Sequence, residues 1–157
     1  MDALEELVAR EAIRDLLARY PMAFDDRDWA AWEALWTDDV TWVVDGAAIE
    51  GLAAVREFMV GCLPADYIAK HLCGPSVIDL APDGQSARAR TDVVWIAANY
   101  DNQIVARYVD DLVKRDGRWL IRRREEIPVR YVPGPPPMSE ASLELSAATM
   151  RKDQPDG

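Results

Sequence analysis

Histidine occurs once in this chain of 157 residues, at His71, so imidazole chemistry has a single address. A histidine acting as a base needs one ring nitrogen free to face a substrate. It also needs a partner on the other nitrogen, which fixes the tautomer and stabilises the imidazolium that forms. A carboxylate is the natural partner. His71 follows a polar loop and precedes Leu72-Cys73-Gly74, a position that suits either an inward-facing base or a structural hydrogen-bonder. Among the acids, Asp26 and Asp28 read as a solvated helix-loop junction with an N-cap. Asp25 differs, because it directly follows an apolar stripe that ends at Tyr20 and Phe24, where the chain still borders the core. Asp38 and Asp39 read as capping or turn residues. Asp110 and Asp111 are adjacent in a strand and must face opposite sides, so only one can be buried. The run Arg122, Arg123 and Arg124 likewise alternates faces, and an inward member can bind an anion or polarise a carbonyl.

The elements that must position these groups are set by periodicity. Ile13, Leu16, Leu17, Tyr20 and Phe24 fall on one helical stripe, with Pro21 predicting a kink before the helix ends near Asp25. Asp28 is placed to cap a second short helix whose apolar side is Trp29, Trp32, Leu35 and Trp36. Residues 40–44 read as a strand, and Asp45-Gly46 as a hairpin turn. Gly51 opens a third helix in which Val55, Phe58, Met59 and Cys62 share a face, closed by Pro64. Four β-rich runs come next, at 71–80, 86–100, 103–114 and 118–131. They are separated by Ala81-Pro82-Asp83-Gly84, Asp101-Asn102 and Asp116-Gly117, which suit tight turns. Helices gathered in front of consecutive hairpins predict an α+β domain over residues 1–132, a curved antiparallel sheet wrapped around the N-terminal helices as a cone with an interior pocket. Residues 133–157 begin with a proline-rich connector and contain a short helix candidate at 139–145.

Composition mainly excludes. A net charge of −10 repels phosphate polyanions, so neither nucleic acid nor an anionic membrane is expected as partner. No apolar run reaches the ~20 residues needed to cross a bilayer. The N-terminus is acidic rather than basic and then apolar, and the two cysteines, Cys62 and Cys73, form no dense framework. A cytoplasmic protein is the expectation. One histidine and no Cys-x-x-Cys leave no metal site, and no phosphate-cradling glycine loop or G-x-S-x-G elbow occurs, so no cofactor is expected.

The segments Arg10-Glu11-Ala12-Ile13-Arg14-Asp15-Leu16, Phe24-Asp25-Asp26-Arg27-Asp28-Trp29 and Leu35-Trp36-Thr37-Asp38-Asp39-Val40 resemble the SnoaL-like branch of the nuclear transport factor 2-like superfamily, as do Arg107-Tyr108-Val109-Asp110 and Arg115-Asp116-Gly117-Arg118-Trp119. The resemblance extends to the proline-rich tail and implies the same α+β cone. Within that superfamily the chain looks most like the scytalone dehydratase, bile acid 7α-dehydratase and hexachlorocyclohexane dehydrochlorinase families. Their shared aspartate at the end of the first helix and histidine at the start of a strand fall here on Asp25 and His71. The bile acid family's tyrosine falls on Tyr20, and the dehydrochlorinase family's inward arginine, counted from the Asp-Gly turn, on Arg124. Departures narrow the match. The first-strand tyrosine and second histidine of scytalone dehydratase correspond to Val44 and about Ala97. The ketosteroid isomerase base would also fall on Val44, with Asp45 one residue out of phase. The Arg-x-Asp of limonene epoxide hydrolase is echoed by Arg90-Thr91-Asp92, without its third carboxylate.

These observations lead us to expect a cofactor-independent lyase of the dehydratase or dehydrohalogenase type. In it His71 removes a proton from carbon, Asp25 orients the ring, and Tyr20 or Arg124 stabilises the enolate or the departing group. Trp42, Val44, Phe58, Met59, Trp95 and Tyr108 are expected as pocket walls for a hydrophobic cyclic small molecule. An isomerase or polyketide-cyclase-like enzyme is the alternative, and so is a non-catalytic binding domain with a structural His71-Asp25 pair. A sheet face left bare by the helices, together with the resemblance, implies a homodimer or homotrimer.

Overall fold

A computed structural model of the chain describes residues 1–63, 65, 68–98 and 103–129. Pro64, the Asp101-Asn102 turn, Tyr131 and the whole of 133–157, with its expected connector and helix, lie outside the described residues.

Helix α1 spans Ala3–Asp25 and opens with a reciprocal capping box, the Asp2 carboxylate accepting from the Glu5 N–H while the Glu5 side chain accepts from Asp2. It continues through Pro21, which is buried, and delivers Ile13, Leu16, Leu17, Tyr20 and Phe24 to the core as the stripe predicts. The chain reverses through Arg27 at φ 57°, and Asp28 caps α2 (Trp29–Glu33) by accepting from the Ala31 N–H.

Strand β1 (Trp36–Val44) begins four residues earlier than expected. Trp29, Trp32, Leu35 and Trp36 imitate one helical face, yet Leu35 and Trp36 already belong to the sheet side: the Leu35 carbonyl accepts from the Ile121 N–H and Trp36 pairs with Ile121. A tight turn at Asp45 and Gly46, both at positive φ, leads to β2 (Ala47–Glu50). Helix α3 (Leu52–Cys62) comes next and buries Val55 and Met59.

The expected run at 71–80 is broken into β3 (Ala69–Cys73) and β4 (Val77–Leu80) around Gly74-Pro75-Ser76, and both pair with β5 (Ser86–Ala97). β6 (Gln103–Arg115) and β7 (Arg118–Pro128) complete a curved, open sheet in the order β2-β1-β7-β6-β5-β3. The α+β architecture is as expected, with one correction: β1 and β7 run parallel. No hairpin joins that pair, so no turn dictates its direction. β5 shows the clearest period of two, its alternate residues from Ala87 to Ala97 all buried under the helices. Two irregularities bear on the site. β1 carries extra residues between Trp36 and Thr41 relative to β7. In β7 the partners of Leu112 and Asp111 are Ile121 and Arg123, which leaves Arg122 as the extra residue of a bulge.

Candidate active site

Helix α1 and the edge strand β3 meet at Asp25 and His71, 46 residues apart in sequence. One oxygen of the Asp25 carboxylate lies 2.7 Å from His71 Nδ1, and the other accepts from the His71 backbone N–H at 2.9 Å. Both side chains are only 4% exposed. With the Nδ1 proton held toward Asp25, Nε2 is the nitrogen left as an acceptor. The ring is wedged by edge contacts against Phe24 at 5.3 Å, Tyr20 at 5.7 Å and Trp95 at 6.5 Å between centroids. Trp95 is also the ladder partner of His71, so the two side chains share the inner face. Next to the pair, Asp26 and Lys70 form an exposed ion pair at 2.9 Å that adds a second tie between the helix end and the strand.

His71 opens on a cavity of about 310 Å³ under the curve of the sheet. Its walls include every expected pocket residue, Trp42, Val44, Phe58, Met59, Trp95 and Tyr108, together with Tyr20. Phe24, Cys62, Val93, Ile104, Ala106 and Glu126 line it as well. The lining is therefore mostly aromatic and aliphatic, with few polar groups, the pattern of a small-molecule site. Tyr20 is buried, touches Tyr108 edge-on at 5.8 Å, and burial pushes its hydroxyl well above the ordinary tyrosine range. Tyr108 is raised in the same way and by the same first cause. Both phenols stay protonated at any physiological pH, and their hydroxyls are hydrogen-bonded to each other.

Of the three consecutive arginines in β7, Arg122 is exposed, Arg123 pairs with Glu125, and Arg124 is buried inside. Arg124 does not line the His71 cavity. Its guanidinium sits behind the two tyrosines, 4.1 Å from the Tyr20 ring centroid and 4.3 Å from that of Tyr108, a doubled cation–π contact. Asp110, its ladder partner on β6, accepts from Nε at 2.6 Å and from Nη2 at 2.9 Å. That answers which of Asp110 and Asp111 turns inward. Arg124 instead borders a second hollow of about 210 Å³, on the far side of the tyrosines, with Cys73, Ser76 and Thr91. The Arg90-Thr91-Asp92 echo points elsewhere: Arg90 and Asp92 are on the outer face, paired with Asp79 and Arg107, while Thr91 alone faces in.

Glu126 is a cavity residue that spacing in the sequence does not single out. Its side chain comes two positions after Arg124, so the strand period places both on one face once Arg124 is known to be inward. Burial pushes its carboxyl up, opposed by Arg124 and by His71, with Asp45 adding to the rise. Among the described residues no group of three or more His, Cys, Asp or Glu side chains is arranged to hold a metal ion, and no helix is long and apolar enough to cross a membrane.

A family model described as a SnoaL-like domain matches residues 5–125. No curated protein matches the chain in sequence. Among solved structures, a protein of unknown function from Mycobacterium tuberculosis is 22% identical with a TM-score of 0.73, covering 97% of this chain and 94% of its own. A candidate scytalone dehydratase from Novosphingobium aromaticivorans is 22% identical with a TM-score of 0.72, over 88% of this chain and 100% of its own. A type 2 hexachlorocyclohexane dehydrochlorinase is 20% identical with a TM-score of 0.68, over 87% and 100%. These likenesses establish the fold; chemistry has to be argued from the cavity.

Proposed function

The chain belongs to the SnoaL-like domain family, and from that premise we propose that it is a cofactor-independent lyase, eliminating water or a hydrogen halide from a hydrophobic cyclic small molecule. The observation that carries this reading is the Asp25-His71 pair, with His71 lining an apolar cavity. His71 Nε2 takes a proton from a carbon next to a carbonyl or similar acidifying group. The adjoining Asp25 carboxylate stabilises the imidazolium and holds the ring in one tautomer. Tyr20, protonated and in edge contact with the His71 ring, is the donor that this reading assigns to the enolate oxygen. Arg124 serves behind it as a fixed positive charge against the Tyr20 ring, favouring negative charge on the far side.

The same donor and base suit an isomerase, which returns the proton to another carbon and expels nothing; product mass separates the two. The decisive experiment is a panel of cyclic β-hydroxy and β-halo ketones assayed by mass spectrometry with the wild-type protein and His71→Ala. Elimination by the wild type that drops by about 10²- to 10⁴-fold in the variant, with unchanged thermal unfolding, supports the base role. Equal turnover by the two proteins removes it.

A further inference from the structure

We propose that Glu126 is the general acid of this site, protonating the departing oxygen while His71 takes the proton from carbon, and that the substrate is therefore a hydrophobic cyclic β-hydroxy carbonyl compound and not a halide. The proposal rests on the lyase reading and sharpens its leaving group.

The geometry begins with the sheet. His71 stands on β3 and Glu126 on β7, with β5 and β6 between them, and both side chains line the one cavity. Glu126 lies between Tyr108 on β6 and Val44 on β1 in the ladder, and those two neighbours line the same space. Base and carboxyl thus come from different strands of the cup and line the same cavity. This is the arrangement an elimination needs, since the proton and the leaving group sit on adjacent carbons.

Glu126 also differs from the other carboxylates around it. Asp25 is tied to His71, Asp110 to Arg124, Asp92 to Arg107, and its neighbour Glu125 to Arg123. The Glu126 carboxyl makes no hydrogen bond or ion pair among the described residues, although it is half-buried in a cavity walled by Trp42, Phe58 and Tyr108. A carboxyl turned into an apolar space without a partner is stabilised by holding its proton or by meeting a ligand. The charged and titratable groups that face it are Arg124 and His71, which favour its charged form, Asp45, which disfavours it, and the hydroxyls of Tyr20 and Tyr108, which Glu126 helps to keep protonated. The Cys62 thiol is also close, and is itself pushed up by burial and by Glu126. Burial outweighs the two cations, so the carboxyl keeps its proton to higher pH than an ordinary glutamate.

The chemistry then balances without a co-reactant. The C–H bond breaks and its proton goes to His71 Nε2. Its electron pair becomes the new C=C bond through the enolate, the C–O bond breaks, and the Glu126 proton joins the oxygen, so that water leaves. The imidazolium loses a proton to solvent and the Glu126 carboxylate regains one. Chloride departs without a proton, so a dehydrohalogenase has no use for an acid at this position. Hydroxide is a far poorer leaving group, and needs one.

The test uses Glu126→Gln, which keeps size and polarity, and a matched pair of probes: an aryl-fused cyclic β-hydroxy ketone and its β-chloro analogue. The expected result is a fall of about 10²-fold or more in the ratio of hydroxy to chloro turnover, because only the first needs the proton. Equal losses on both probes, or no loss on either, overturn the acid role while leaving the lyase reading in place. If the wild type eliminates from no member of the ketone panel, the lyase reading falls and takes this inference with it. A second measurement needs no substrate: ¹³C NMR titration of labelled glutamate, with Glu126→Gln to assign the signal. A carboxyl titrating above the usual glutamate value is expected, and one at or below it overturns the proposal.

Discussion

Asp25 holds His71 at two points, one carboxylate oxygen at the ring Nδ1 and the other at the backbone N–H of the same residue. The contact therefore fixes the ring's tautomer and the strand's place against the end of α1 together. A single carboxylate carries a structural and a chemical duty, and substitutions can separate them.

Asp25→Asn keeps an acceptor near the strand but removes the charge that opposes the imidazolium. Its kcat is expected to fall by about 10²- to 10⁴-fold with little change in stability. Asp25→Ala is expected to lose activity to the same degree and, in addition, about 1–3 kcal/mol of stability, because the His71 N–H is left without its acceptor. Steady-state kinetics and urea denaturation of the two variants together check this. Equal stability of the two variants would remove the backbone role.

Arg124 and Asp110 form a buried bidentate pair, 2% and 0% exposed in their side chains. Asp110→Ala is expected to cost about 3–5 kcal/mol, since it strands a buried guanidinium. Adding Arg124→Met to Asp110→Leu should recover much of that loss, because the pair then goes as a unit into an aromatic surround. A chemical-denaturation cycle reads the coupling, and additive losses would count against it.

Tyr20 and Tyr108 have hydroxyls raised by burial in the folded protein. In the unfolded chain they ionise near pH ~10. Above that pH the unfolded state sheds protons that the folded state retains, so their contribution to stability is complete below about pH 10 and is lost as pH rises further. Unfolding free energy should decline more steeply above that point in the wild type than in Tyr20→Phe. Tyrosinate absorbance at about 295 nm, recorded through the same range, should show fewer early-titrating phenols than the five tyrosines of the chain.

Val44 forms part of the cavity wall and is half-buried against the core. Val44→Phe adds bulk without polarity. It is expected to weaken kcat/KM for ring-sized substrates by about 10- to 200-fold while leaving thermal unfolding nearly unchanged. Quenching of the Trp42 and Trp95 fluorescence by ligand supplies the independent binding measure.

Much of this site is readable from residue type and spacing. Asp25 stands at the end of an uninterrupted apolar stripe, and His71 has no competitor for its role. What is not readable is long-range or out of phase. Nothing local announces that β1 lies parallel to β7, because the partners are separated by most of the chain. Trp36 reads as part of a helix face because its distance from Trp29 and Trp32 is helical, while its actual partner, Ile121, is remote in sequence. Glu126 stays hidden because its face depends on that of Arg124. Counting alternately from Trp119 and Ile121, both buried, turns Arg123 and Glu125 inward instead. The resemblance points to Arg124, which is the buried one of the run, and the bulge explains why simple alternation does not.

That bulge gives β7 two reading frames. From Trp119 to Ile121 the strand is read in the frame of the hydrophobic core, and from Arg123 onward in the frame of the cavity, with Arg122 as the untranslated letter between them. Mutations at Trp119 and Ile121 should register as changes in folding, and a mutation at Glu126 as a change in chemistry. The Glu126 end of the strand can therefore be retuned for a new substrate without renegotiating the packing around Trp119 and Ile121.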